Sequence, residues 1–132
     1  MASIFTKIIN GEIPCHKIAE DDQFLAFLDV RPIKPGHALV IPKQEIDYIF
    51  DLEPDLLGSL MRFAQPVAKA IEAVVPCTRI GVVVIGLEVP HAHVHLVPIE
   101  AIGDINFAHA RPAEADALAA LASKIRETLD RS

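Results

Sequence analysis

The chain has 132 residues, which is the length of one domain with a single hydrophobic core. Hydrophobic residues make up 52% of it and charged residues 23%, a composition typical of globular proteins and unlike that of disordered or fibrous ones. The net charge of −6 argues against general affinity for nucleic acids or anionic membranes, because both require clustered positive charge.

The sequence also indicates a cellular compartment. No apolar run approaches the ~20 residues of a membrane-spanning helix, and the N-terminus lacks the basic start and long apolar segment of a signal peptide. Cys15 and Cys77 are isolated from each other, so we expect two free thiols in a reducing compartment. We therefore expect a cytoplasmic protein that binds neither membranes nor nucleic acids.

The first third of the chain predicts one short helix and three strands. Residues 3–9 form the helical turn, which the turn dipeptide Asn10-Gly11 closes. The predicted strands are residues 16–19, 24–29 and 37–42, separated by an acidic turn and by a segment rich in proline and glycine. The third strand is apolar on both faces, which predicts burial on both sides.

The rest of the chain predicts a long helix, two strands and a final helix. Residues 54–75 carry apolar side chains at three- and four-residue steps, the pattern of a helix with one buried face, and Pro66 inside it should cause a kink. The other elements are strands over residues 79–85 and 89–99 and a helix over residues 112–129. Strands surround one main helix without regular βαβ alternation, so the sequence predicts a single antiparallel α+β domain over residues 1–132.

Three histidines alternate with apolar residues in the segment Pro-His-Ala-His-Val-His-Leu-Val, residues 90–97. In an extended strand His91, His93 and His95 should project from one face, roughly 6.6 Å apart, while the residues between them point into a core. Such a face suits a metal site, nucleophilic and acid–base catalysis, or solvent exposure by chance. Three of the six histidines fall within five positions, which makes chance the least favoured of the three.

This segment matches the signature of the histidine triad nucleotide-binding family, in which three histidines alternate with apolar residues. Three more blocks resemble that family in the same order. They are residues 4–14, residues 20–30 and residues 35–43, the last reading Pro-Gly-His-Ala-Leu-Val-Ile-Pro-Lys. The four blocks cover roughly the first 100 residues, which is a much more specific match than the histidine motif alone.

The resemblance implies both a fold and an activity. The family fold is a five-stranded antiparallel sheet with one long helix, here joined by a short N-terminal helix and a C-terminal helix. Members usually form homodimers that join two sheets into one. They bind purine nucleotides and cleave bonds at the α-phosphate through a nucleotidyl-histidine intermediate, without a cofactor. The resemblance therefore predicts a homodimeric purine nucleotide hydrolase.

By the same resemblance four histidines have catalytic roles. His93 would be the nucleophile, with its other ring nitrogen held by the backbone carbonyl of His91. His95 would donate a hydrogen bond to the phosphate and stabilise charge in the transition state. His37 would lie beside His91 and complete the network. Histidine rather than glutamine at position 95 resembles the hydrolase branches of the family.

The remaining blocks imply a nucleotide pocket. Asp29 would accept hydrogen bonds from the ribose hydroxyls, and an ordinary strand-end or turn residue is the less favoured alternative. The base would lie in an apolar slot formed by Ile4, Phe5, Ile8, Phe27 and Val30. Taken one at a time, these apolar residues are as compatible with ordinary core positions as with a binding slot.

One departure from the family concerns metal. Many relatives have two cysteines near the start and a histidine after the Pro-Lys step, which can bind zinc together with a triad histidine. Ser3, Thr6 and Glu45 stand at those positions here. Hydroxyl groups are poor zinc ligands beside thiolates, so we predict no metal site.

A second departure lies just before the triad. Gly86 matches the glycine that ends a longer loop in relatives, but Leu87 replaces a glutamine and Glu88 replaces a serine that lies near the phosphate and leaving group. A carboxylate there would repel a phosphate, meet a cationic amine or turn to solvent. We therefore predict a nucleoside phosphoramidase. The alternatives are a dinucleoside polyphosphate hydrolase and a nucleotide-binding adaptor with little turnover.

Overall fold

The helices and strands follow the predicted order in the computed structural model, which describes residues 2–132. They are α1 (Ile4–Ile9), β1 (Lys17–Glu20), β2 (Phe24–Leu28), β3 (Ala38–Pro42), α2 (Pro54–Val74), β4 (Arg79–Val83), β5 (Val94–Ile99) and α3 (Ala115–Asp130). Single 3-10 turns lie at Ile49–Asp51, Ile102–Asp104 and Phe107–His109. Across the described residues, no helix is both long and apolar enough to cross a membrane.

The five strands form one antiparallel sheet in the order β1-β2-β3-β5-β4, which confirms the predicted α+β class. The register places His95 of β5 opposite Leu39 of β3 on one side and Val83 of β4 on the other. The strand that carries the last triad histidine is therefore an inner strand, and hydrogen bonds on both sides fix its backbone.

Different elements cover the two faces of the sheet. α2 and α3 pack on one face over a core that includes Val40, Val94 and Leu96. α1 lies on the other face, where Phe5 packs with Leu39 and other strand residues in a smaller apolar cluster. Because strand side chains alternate, β5 presents Val94 and Leu96 to the helices and His95 to the α1 side.

Two helices begin as their sequences predict. The hydroxyl of Ser3 accepts a hydrogen bond from the amide of Thr6 and so caps the N-terminus of α1. Pro54 occupies the first turn of α2, where its missing N–H costs nothing. α2 runs through Pro66 to Val74 and buries the predicted apolar face against the sheet.

β4 differs from its prediction. Residues 79–85 form a run that is apolar on both faces, as in the third predicted strand, but β4 ends at Val83 and is an edge strand that pairs only with β5. Val82 is 51% exposed and Ile85 is 49% exposed. The apolar run is therefore not the mark of an inner strand, because the sheet ends at β4 and its outer side has no partner within the described residues.

The predicted strand over residues 89–99 is also shorter, because β5 begins at Val94. Pro42 stands at the end of β3 and has no amide proton to donate to a neighbouring strand. The amide of Ala92 donates instead to the carbonyl of Ile46, at 2.7 Å. His91 and His93 therefore precede β5, and of the three histidines only His95 lies in a strand. The prediction that all three lie on one strand is wrong for His91 and His93.

Candidate functional site

Four of the predicted site residues, His37, His91, His93 and His95, meet on the α1 side of the sheet, and all four are buried. Imidazole rings are seldom fully buried without partners, because each ring nitrogen needs a hydrogen bond when it is removed from water. The partners of each ring therefore reveal which nitrogen carries the proton and which atoms remain available.

Both ring nitrogens of His91 are used by the protein. Nε2 lies 2.8 Å from the carbonyl oxygen of Pro42, and Nδ1 lies 2.8 Å from the hydroxyl of Ser3. A carbonyl only accepts, so Nε2 carries the proton and donates it, while Nδ1 accepts from Ser3. Burial lowers the pKa of His91, although the Pro42 carbonyl and Glu45 oppose this. The ring is held neutral in one tautomer.

His93 is oriented by the main chain. Its Nδ1 donates to the carbonyl oxygen of His91 at 2.7 Å, the hydrogen bond that the family resemblance implies. The ring of Phe5 lies edge-on to it, with 5.0 Å between ring centroids. Since a neutral imidazole carries one proton, Nε2 of His93 keeps its lone pair. No hydrogen bond within residues 2–132 uses that nitrogen.

His37 and His95 form a relay with a defined direction. The amide of Ile33 donates to Nδ1 of His37 at 3.0 Å, so the proton of this ring is on Nε2. That proton is donated to Nδ1 of His95 at 2.9 Å. His95 therefore carries its own proton on Nε2. Burial, together with the neighbouring His37 and His93, lowers the pKa of His95 to about 3.

The placement of His37 corrects one prediction. We expected it beside His91, but it lies beside His95, with 5.1 Å between ring centroids. The antiparallel register explains this, because Ala38 pairs with Leu96 and the chain direction puts His91 at the opposite end of β3. Burial lowers the pKa of His37, while the nearby carboxylate of Asp29 opposes that shift.

The result is a complementary pair of nitrogens. Nε2 of His93 has a lone pair, Nε2 of His95 has a proton, and the two ring centroids are 4.9 Å apart. A lone pair can attack an electrophile, and an adjacent N–H can stabilise the negative charge that develops on it. Neighbouring imidazoles with opposite hydrogen-bonding character are what attack on a phosphate ester or amide requires.

The predicted ribose ligand Asp29 lies next to this pair. One of its carboxylate oxygens accepts from the amide of Arg31 at 2.9 Å, and the other lies 3.6 Å from Nε2 of His37. The side chain is 21% exposed, so its second oxygen can still accept hydrogen bonds from a ligand.

The predicted base slot is divided between buried and exposed residues. Phe5 and Phe27 are buried and contact each other edge-on at 5.8 Å, within the apolar cluster under α1. Ile8 is half-buried beside them, whereas Ile4 and Val30 are exposed. Phe5 and Phe27 therefore belong to the core whether or not they also contact a ligand. Burial does not explain why Ile4 and Val30 are apolar, because both are exposed.

Neither candidate metal site has a suitable donor set. Asp29, His37 and His95 bring three potential ligand atoms within 4.8 Å of one another. A metal needs the lone pair of Nε2 of His37, yet the amide of Ile33 occupies Nδ1 and confines the proton to Nε2. These three residues are better suited to relay a hydrogen bond than to coordinate a cation.

The second candidate metal site is the cluster of Ser3, Thr6 and Glu45, where the family resemblance implies zinc ligands in many relatives. Glu45 accepts hydrogen bonds from the amide of Ser3 at 2.7 Å and from the hydroxyl of Thr6 at 2.6 Å. The hydroxyl of Ser3 in turn donates to His91. These groups satisfy one another, and two of them are hydroxyls, which are weak ligands for zinc.

Beside His93 lies an apolar cavity of 490 Å³ between α2 and the loop that follows β4. It is lined by Tyr48, Phe50, Met61, Ile85, Leu87 and His93, among others. The turn at Gly86, with a φ of +77°, brings this loop across the cavity. Glu88 follows in the same loop and is exposed, without an ion pair to any residue in 2–132.

Several residues that shape the site were not predicted. The backbone groups of Ile33 and Pro42 fix two tautomers, but main-chain partners leave no side-chain signature in a sequence. Tyr48 and Phe50 line the cavity from a segment without regular pattern. Phe107 contacts His95 with 4.9 Å between ring centroids, and it lies in a segment that matched no motif.

Comparisons with known proteins agree with this geometry. A family model described as the HIT domain matches residues 10–102. An uncharacterised HIT-like protein of Methanocaldococcus jannaschii is 40% identical in an alignment of 102 residues that covers 72% of this chain and 77% of that protein. The adenosine 5′-monophosphoramidase of Saccharomyces cerevisiae is 38% identical over 98 residues, covering 74% of this chain and 62% of the yeast enzyme.

The fold is shared with a solved structure as well. A zinc-bound histidine triad family protein from Mycobacterium smegmatis aligns with a TM-score of 0.84 and 26% identity, covering 99% of this chain and 95% of that one. The five-stranded sheet, the matched domain and the histidine site agree, and the chain belongs to the histidine triad (HIT) family.

Proposed function

We propose that this chain hydrolyses purine nucleoside phosphoramidates at the α-phosphate through a nucleotidyl-histidine intermediate on His93. The observation that carries the proposal is the pair formed by the free lone pair of His93 and the free N–H of His95. The similarity to the yeast phosphoramidase supports this substrate class.

The reaction has two steps. Nε2 of His93 attacks phosphorus, forming a P–N bond to the ring as the bond to the leaving amine breaks. Nε2–H of His95 donates to a phosphate oxygen and stabilises the added charge. Water then attacks the same phosphorus and frees His93. The proton that the departing amine takes up equals the proton that water gives up, so the enzyme returns unchanged.

We assign the nucleotide to the surface beside this pair. The carboxylate of Asp29 would accept hydrogen bonds from the ribose hydroxyls. The base would contact the apolar side chains of Ile4, Phe5, Ile8, Phe27 and Val30. In support, Ile4 and Val30 expose apolar surface next to the buried phenylalanines.

Gly86 and Glu88 would form the leaving-group side. An ionised carboxylate about 4 Å from a phosphate costs on the order of 1–4 kcal/mol, a penalty that a cationic amine would remove. Glu88 would therefore favour amine leaving groups over polyphosphates.

The experiment compares kcat/KM for an AMP-amine substrate with that for a dinucleoside tetraphosphate. The wild-type chain should prefer the phosphoramidate. Glu88→Ser should shift the ratio about tenfold toward the tetraphosphate, because it removes the repulsive charge. Glu72→Ser, at an exposed position on α2, is the control. Equal effects of Glu88→Ser on both substrates would exclude a role in leaving-group choice, and nucleotide binding without turnover of either would favour an adaptor.

We further propose that the reaction needs no metal ion. The M. smegmatis protein was solved with zinc, but the Ser3, Thr6 and Glu45 cluster of this chain is closed by its own hydrogen bonds. Treatment with a chelator should change neither the rate nor the melting temperature. Stoichiometric zinc in the purified protein, with activity lost on its removal, would contradict this.

Finally, we propose a homodimer joined through β4. The outer side of β4 is open, and Val82, Met61 and Ile85 expose apolar surface beside it. At the other edge of the sheet, α3 lies against β1, and Arg126 donates to the carbonyl of Lys17. An open apolar edge favours pairing with a second copy.

Light scattering should give twice the chain mass of 14.4 kDa for the wild-type protein. Val82→Lys should reduce it to the monomer, whereas Ala119→Lys on the exposed face of α3 should not. A monomeric wild-type chain would contradict the dimer.

A further inference from the structure

The chain beyond β5 returns to the histidine site. Within it, the ring of Phe107 lies edge-on to His95, with 4.9 Å between centroids and an interplanar angle of 72°. It also lies edge-on to His37, at 6.2 Å and 69°. The match to the HIT domain ends at residue 102, so Phe107 belongs to a part of this chain outside the matched domain.

The segment that carries Phe107 is attached to the loop between β2 and β3. The amides of Arg111 and Ala113 donate to carbonyls of that loop, at 3.4 and 3.1 Å. On the other side of Phe107, Asp104 pairs with Lys34 of the same loop at 3.5 Å. This loop also supplies the Ile33 amide that fixes the tautomer of His37. Both ends of the segment are thereby tied to the element that organises the relay.

The groups around His95 come from four parts of the chain. His93 precedes it on the same segment, His37 lies before β3, Asp29 follows β2, and Phe107 comes from the C-terminal segment. A proton added to Nδ1 of His95 would abolish its hydrogen bond with His37, because both nitrogens would then be donors. An apolar ring in contact with both imidazoles reduces the access of water that would solvate the charged form.

We propose that Phe107 is a positioning residue, whose ring shields the His37–His95 hydrogen bond from water and so keeps His95 a neutral imidazole. The inference rests on the function proposed above only in that Nε2–H of His95 is the group offered to the phosphate. Phe107 acts through His95, and the part of the chain outside the matched domain thus helps to keep this one histidine neutral.

The test measures the protonation of His95 directly, without substrate. Two-bond ¹H–¹⁵N correlation spectra of the labelled full chain report the tautomer and the titration of each imidazole ring. Wild-type His95 should show a proton on Nε2 and a low pKa, as its burial dictates. Phe107→Ala should raise the titration midpoint of His95 by about two pH units, toward the ordinary value near 6.5. The neutral ring should keep its proton on Nε2, because His37 still donates to Nδ1.

A graded series of substitutions at Phe107 separates the loss of its apolar contact with His95 from a loss of folding. Phe107→Leu keeps most of the apolar cover and should stay near the wild-type midpoint, whereas Phe107→Val should lie between Leu and Ala. The control is Ile102→Ala, which removes an exposed apolar side chain from the same segment and should change nothing. If Phe107→Ala does not fold, the comparison of Phe107→Leu with Phe107→Val provides the test.

The proposal is overturned if the titration midpoint of His95 is the same in wild type and in all three Phe107 variants. It is also overturned if the titration midpoint of His95 in Phe107→Val is no higher than in Phe107→Leu. Failure of the proposed hydrolase function would appear separately, as a wild-type chain that turns over no nucleotide substrate, and would leave these spectra unaffected.

Discussion

The two ends of the histidine site differ in whether an imidazole nitrogen is left without a hydrogen-bond partner. At one end His91 is saturated, because Ser3 and Pro42 take both of its ring nitrogens. At the other end His93 and His95 each keep one nitrogen free of protein partners among the described residues. Similar residues in one short motif therefore have different tasks. The saturated histidine orients its neighbour through its backbone carbonyl, and the two unsaturated ones keep the nitrogens that we propose act on the substrate.

The largest effect is expected at His93. Replacing it with alanine should lower kcat by at least about 10⁴-fold, because only this nitrogen forms the covalent bond. Nucleotide affinity by equilibrium binding and the circular dichroism spectrum should stay close to wild type, since the hydrogen bond of His93 is to a backbone carbonyl. A variant with near-normal kcat would show that the nucleophile lies elsewhere.

His95 should have the next largest effect. His95→Ala removes the N–H beside the attacking nitrogen and should slow turnover by about 10²–10³-fold, as loss of one transition-state donor does. Single-turnover kinetics should place the loss in the chemical step and not in substrate binding. An increase in KM with unchanged kcat would indicate that His95 only binds the substrate.

At the saturated end the expected loss is in stability. Ser3→Ala removes the closer hydroxyl partner of His91 Nδ1, leaving only the Thr6 hydroxyl at 3.4 Å, and it removes the cap of α1. Together these losses should cost about 1–3 kcal/mol of unfolding free energy. Urea denaturation measures this, with Ser59→Ala in the second turn of α2 as control. The kcat of Ser3→Ala should fall by less than about tenfold. A large loss of kcat without loss of stability would contradict the contrast between the two ends.

Acid should weaken the fold through the buried rings. Burial puts the pKa of His37, His91 and His95 below the value of about 6.5 that histidine has in an unfolded chain. Between those values the unfolded chain binds more protons, so stability is complete above about pH 6.5 and is lost as the pH falls.

With its pKa at about 3, His95 alone should remove about 2 kcal/mol between pH 6.5 and pH 5. Urea denaturation at both pH values should show this loss in wild type and a smaller loss in His95→Gln. Equal losses in the two proteins would mean that His95 is not buried in its neutral form.

Local pattern predicted much of the fold. The three- and four-residue steps of α2 and the alternation of His95 with its apolar neighbours are properties of single elements, and both were correct. The start of β5 at Val94 was not predictable in this way, because the amide of Ala92 bonds to Ile46, far away in the sequence.

The site shows the same division. The family motif brought the four histidines into one hypothesis, and the structure places them together. Which histidine His37 contacts depends on the register of β3 with β5, which alternation along a single strand does not determine. The contact of Phe107 depends on how a segment without motif folds back, and the backbone donors that set each tautomer have no side-chain signature.

The most direct test of the central claim is the intact mass of the wild-type chain after rapid quenching, without acid, during turnover of an AMP-amine substrate. The account predicts a species heavier by one adenylyl group, with the modification on the peptide that contains His93 and absent from His93→Ala. Turnover without this adduct, or an adduct on a different residue, would contradict the account.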